Sequence, residues 1–261
     1  MKHTLTLLLF IITLSASSQV LNIEKFRLDR DTSKYWAGNI GLGLSLKKQV
    51  TSVNTYAANA RLAYLSEKHA FMTLNNFKVI QNGEVNLISE GYTHWRATFS
   101  RRHFLSYETF GQAQYDMGRG LYHRYLGGAC IRFDLKSQDK YDVALSSGFF
   151  FEHERWQGQI ERFQYREDTT VAVTSFIKST TSLTSRFKLA DHVTFFGVAI
   201  YQARPDYFFK PRLILDGQLV FHIKKRTAFT SELQLSYDAL PAIEVNRYLY
   251  KFEFGLLIKF E

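Results

Sequence analysis

The chain has 261 residues, of which 46% are hydrophobic, 16% aromatic and 22% charged, with 33 Lys and Arg against 24 Asp and Glu. That apolar content excludes a disordered chain, the single cysteine, Cys130, excludes a disulfide framework, and no Cys/His cluster has zinc-ligand spacing. Past the N-terminus no apolar run approaches the ~20 residues that a membrane-crossing helix needs, so a polytopic helical membrane protein is excluded too.

The first predicted element is an export signal. Lys2 and His3 precede a short apolar run from Leu5 to Leu14, and Ala16, Ser17 and Ser18 follow it. A positive start, an apolar centre and small residues predict a secretory signal, residues 1–18, cleaved near Ser18. The run is too short to span a bilayer as a helix. Residues 19–35 are polar and irregular and are expected to form a short periplasmic leader. Residues 36–261 are expected to form one folded domain.

From residue 36 the hydropathy has a period of two, the mark of strands. Trp36, Gly38, Ile40, Leu42, Leu44 and Leu46 alternate with Asn39, Gly41, Gly43 and Ser45. Leu105, Tyr107 and Tyr115 alternate with Glu108, Gln112 and Gln114. Leu213, Leu215, Leu219 and Phe221 alternate with Asp216, Gln218 and His222, and Phe229, Leu233, Leu235 and Tyr237 with Thr230, Glu232, Gln234 and Ser236. The chain closes on Tyr248, Tyr250, Phe252, Phe254, Leu256, Ile258 and Phe260, interleaved with Lys251, Glu253, Gly255 and Lys259. Residues 70–80 and 193–202 are apolar on both faces.

These strands run to about ten to fourteen residues, longer than the five or six usual in soluble proteins and matched to a membrane crossing of about nine to eleven. Short connections at 66–69, 101–103, 136–140, 189–192 and 224–227 alternate with longer ones at 47–53, 81–86, 116–121, 153–171, 203–211 and 238–246. Short periplasmic turns opposite longer outer loops, aromatic residues at strand ends and very few prolines predict an all-β fold, a single closed antiparallel transmembrane β-barrel of about 12 strands in the bacterial outer membrane.

The segment SYETFGQAQYDMGRGLYHRYLGGACIRFD, from Ser106 through Asp134, carries the elements E-x-F-x-Q-x-Q-Y and R-x-L-G-G. Together with WAGNIGLGLSLKKQ at the start of the domain and the stretch from Tyr201 to Asp206, it resembles an uncharacterised family of salt-induced outer-membrane proteins. The resemblance covers most of the chain after the signal. It implies a twelve-stranded barrel of unsettled function, linked to osmotic or salt stress. One departure is the end of the chain, where Phe260 is penultimate and Glu261 last.

Alternation turns residues of both charges toward the interior. Arg96, Glu108, Arg124, Arg132, Glu232, Lys251 and Glu253 are the candidate lumen charges, with Arg96 and Arg132 expected to flank Glu108 and Glu232 to neighbour Lys251. Glu152, Lys178 and Arg212 fall on the same face. Confined charges persist only when paired, so these either fill the lumen or line a narrow conduit. Cys130 reads as a small inward filler. The connection 153–171, with Trp156, Phe163 and Tyr165, is the candidate rim or ligand loop.

The expected role is a small channel or a structural barrel, not an enzyme, with no cofactor and no metal. Expected partners are outer-membrane lipid and lipopolysaccharide, the barrel assembly machinery, and small solutes or ions. Basic residues are scattered over the short turns instead of forming one face with stacking aromatics, which argues against nucleic acid. Two alternatives stand beside this reading. One is a lipid hydrolase, which needs a serine within reach of His123 or His153 near the rim; no motif ties either to a particular serine. The other is a loop-mediated adhesion or binding module.

Overall fold

The computed structural model describes residues 36–48, 52–101, 103–138, 140–157, 171–224, 227–243 and 246–258. The expected signal and leader, Phe163, Tyr165 and Phe260 lie outside the described residues. Twelve strands follow in order: β1 (Trp36–Lys48), β2 (Ser52–Leu65), β3 (His69–Asn82), β4 (Val85–Phe99), β5 (Leu105–Asp116), β6 (Leu121–Gln138), β7 (Tyr141–Gln157), β8 (Val171–Ala190), β9 (Val193–Ala203), β10 (Arg212–Lys224), β11 (Thr227–Asp238) and β12 (Tyr248–Ile258). They form one sheet in which every strand pairs antiparallel with its neighbour in sequence.

The alternation read from the sequence becomes two faces. Ile40, Leu42, Leu44, Phe71, Trp95, Tyr107, Phe149, Ile177, Leu215, Tyr250, Phe252 and Phe254 are exposed on one side. Glu108, Gln112, Gln114, Arg124, Arg132, Glu152, Glu154 and Asp216 are buried on the other. The sheet curls so that this polar side is concave: a single cavity is lined by Gln114 of β5, Trp156 of β7, Arg212 of β10 and Leu249 of β12. An apolar outside around a polar inside inverts the arrangement of a soluble sandwich. The inside also holds apolar filler, with Leu74 and Tyr92 packed together beside Met72, and the Phe110 and Phe150 ring centroids 6.4 Å apart.

Three expectations need correction. The sheet is not closed: no ladder joins β1 to β12 among the described residues, which leaves them as its edges. Second, the connection expected at 81–86 is a two-residue turn, because β3 runs to Asn82 and β4 begins at Val85. Gly83 and Glu84 are the two turn residues, and Gly83, in the first position, takes the positive φ that such a hairpin needs, 61°. Third, the loop expected from residue 153 begins later. β7 continues to Gln157 because its alternation continues, with Glu152, Glu154 and Trp156 turned inward. Trp156 is only 6% exposed and belongs to the strand, not to a rim loop.

Candidate functional site

The densest polar chemistry lies on the concave face near the ends of β7, β10 and β11. Glu152, 2% exposed, is the centre. β6 supplies Arg124, whose Nε donates to Glu152 at 2.7 Å and lies 3.3 Å from Glu154. β8 supplies Lys178, which pairs with the other oxygen of Glu152. β10 supplies Arg212, whose Nη1 reaches Glu152 at 3.1 Å, Nη2 reaches Glu154 at 3.3 Å and Nε donates to Asp238 of β11 at 2.8 Å. Trp156 donates from its indole nitrogen to Glu154 at 3.0 Å. Arg212 therefore bridges strands three apart in the sheet, β7 and β10, across the concave space. Its planar fork suits three separate carboxylates better than a lysine would.

A second cluster sits further along the same face. Glu108, 1% exposed, lies opposite Thr98 on one side and Cys130 on the other. Arg96 approaches it at 3.7 Å and Thr98 donates to it at 3.3 Å. The Cys130 thiol lies 3.7 Å from its second oxygen, so Cys130 is inward, as expected. Arg132, expected to flank Glu108, lies one step along β6 opposite Ser106 and pairs with Asp134 at 3.0 Å. Glu232 stands directly opposite Glu253, and Lys251 pairs with Glu253 at 2.9 Å. Glu232 accepts from Gln218 at 3.2 Å and from Gln234 at 2.6 Å. Among the expected lumen charges the structure joins Arg96 to Glu108 and Lys251 to Glu253, sets Arg132 on the strand paired with that of Glu108, and places Arg124 in the Glu152 network.

Between the clusters is a cavity of about 700 Å³, open to solvent and walled by Phe110, Leu126 and Ile214 with Ser146, Thr180 and Gln202. Among the described residues, the Ser146 hydroxyl and the Gln202 carbonyl oxygen are buried without a hydrogen-bond partner. Sequence reasoning did not single out Glu154 and Asp238, which it assigned to connections. The continued alternation Glu152, Glu154, Trp156 was the signal that could have found Glu154.

The convex face holds one further constellation. His153 of β7 and Ser175 of β8 are direct cross-strand partners, with 2.7 Å between Nδ1 and Oγ. His123 stacks on His153 at 5.6 Å, and Arg155 lies 5.1 Å from the Tyr122 ring. Serine and base are thus in reach, which no sequence motif indicated. Among the described residues no carboxylate bonds His153 to orient it, and no three His, Cys, Asp or Glu side chains converge as a metal site. No family model matches the chain, and no curated protein or solved structure matches it either.

Proposed function

We propose that the chain is an outer-membrane β-barrel, closed by β1 pairing with β12, whose lumen is a narrow polar conduit of low conductance latched by the Glu152 network. The apolar convex face supports immersion in lipid, where it would be solvated as the surface of a soluble protein is by water. Immersion also supplies the reason for closure, because an unpaired edge in hydrocarbon costs several kcal/mol for each unsatisfied backbone group. The observation that carries the reading is Arg212 reaching from β10 to Glu152 and Glu154 of β7. A side chain of one strand bound to a strand three away cuts across part of the interior and narrows the passage at that height. The resemblance to salt-induced proteins supports a role for such a conduit in the response to osmotic stress, with lipid and lipopolysaccharide around it and small ions as cargo.

Planar-bilayer recording of the refolded chain tests this. The native protein is expected to give small or rare openings, and Glu152→Gln larger and more frequent ones. Glu108→Gln, which leaves the bridge intact, is expected to change conductance little. Equal conductance in all three, from protein shown to be folded, overturns the latch.

The His153–Ser175 contact favours a second reading, hydrolysis of a lipid ester at the convex surface. Ser175 Oγ would attack the ester carbonyl while His153 takes its proton and passes it to the leaving alcohol; water would then release the acyl group by the same route. Loss of lipid hydrolysis in Ser175→Ala supports it, and hydrolysis unchanged by that substitution or absent from the native protein removes it.

A further inference from the structure

Above the Glu152 network, a second cavity of about 530 Å³ opens to solvent between β5, β7, β11 and β12. Four arginines line it, Arg119, Arg124, Arg212 and Arg247, against two acids, Glu154 and Asp238. Arg124 and Arg212 are already held by Glu152, Glu154 and Asp238. Arg119 and Arg247 form no ion pair among the described residues, and the Arg119 guanidinium lies over the Trp156 ring at 6.0 Å from its centroid.

Both arginines are delivered by fixed backbone. Arg119 ends a single 3-10 turn, Met117–Arg119, whose Asp116 cap accepts from the Arg119 amide at 3.2 Å. Gly120, in the left-handed conformation at φ 79°, closes the turn, and its carbonyl accepts from the Gln157 amide at 2.8 Å, tying it to β7. The Arg247 carbonyl accepts from the Asp238 amide at 3.0 Å. Burial pulls the Arg119 guanidinium below its ordinary pKa; Arg212 and Arg124 pull it further, while Asp116 and Glu154 oppose them. A cation in a half-enclosed space beside other cations is stabilised by a bound anion more than one in free solvent, since little water is there to screen it.

We infer that Arg119 and Arg247 bind the carboxylate or phosphate of a small organic anion at this mouth, with Trp156 as the wall for its apolar body. A guanidinium fork takes two oxygens of either group at once, and the indole that lines the cavity offers an apolar wall. The assignment rests on the proposed conduit only in needing water at this end of the interior. Binding read in detergent and conductance read in bilayers therefore fail separately.

The experiment is calorimetric titration of the refolded full chain in detergent at low salt, with benzoate, acetate and inorganic phosphate as probes. Benzoate is expected to bind more tightly than acetate, and added salt to weaken both. Arg119→Gln and Arg247→Gln should each lower benzoate affinity at least tenfold, and Arg119→Lys should lower it less. Arg204→Gln, outside the cavity and paired with Asp206, should bind as the native chain does. Arg247 is exposed, so its variant keeps the test open should the Arg119 variant not fold. Absence of binding by every probe, phosphate binding without benzoate, or equal affinity in Arg247→Gln and the native chain overturns the inference.

Discussion

Glu152 is the residue on which most of the interior depends. Three cations, Arg124, Lys178 and Arg212, converge on its two oxygens. Removing a shared buried partner costs more than the pair contributed, because the charges left behind are neither solvated nor neutralised. Glu152→Gln is therefore expected to destabilise the refolded chain by about 3 kcal/mol or more. Glu108→Gln, whose Arg96 partner lies at 3.7 Å, looser than the contacts of Arg124, Lys178 and Arg212 with Glu152, should destabilise less. Denaturant midpoints of the two variants in one detergent check the order. Equal midpoints would deny Glu152 its central place. The inward placement of Glu152, Lys178 and Arg212 could be read from alternation alone. Their convergence could not, because Arg212 and Glu152 are sixty residues apart and meet only once the sheet has curled.

Among elements, the strands were readable wherever lipid-like and water-like faces differ. β12 is the clearest case, with Tyr248, Tyr250, Phe252, Phe254 and Leu256 exposed on one side and Lys251 and Glu253 on the other. Connection lengths were read less well. At 81–86 polar residues suggested a loop, but Gly83-Glu84 makes a tight hairpin turn. At 153–157 charged residues suggested a loop, but they continue a strand, with Glu154 turned inward to Arg124 and Arg212 on other strands and His153 and Arg155 on the convex face. His153 and Ser175 meet only through the register of β7 against β8, which one sequence does not state. The turn before β6 depends on Gly120, where an added Cβ would meet the Gln157 carbonyl oxygen as well as an unfavourable backbone angle. Gly120→Ala is expected to cost about 1–2 kcal/mol and to weaken benzoate binding by displacing Arg119. A denaturant midpoint and affinity equal to the native values would show that the turn does not position that side chain.

For the whole molecule, the inversion of polar and apolar faces is the strongest fact. Exposed Ile40, Leu42, Leu44, Phe149, Ile177, Tyr250 and Phe254 form a surface that water would not tolerate as a continuous face. In lipid the same surface is satisfied, and the unpaired backbone of β1 and β12 becomes the costly feature. Closure of those two edges is thus the claim on which membrane residence and an enclosed conduit both depend. Amide hydrogen exchange of the refolded chain in lipid tests it most directly. The amides of β1 that do not donate to β2, and those of β12 that do not donate to β11, should exchange as slowly as amides in the middle of β5 and β6. Exchange of these edge amides orders of magnitude faster than that of the central strands would contradict closure.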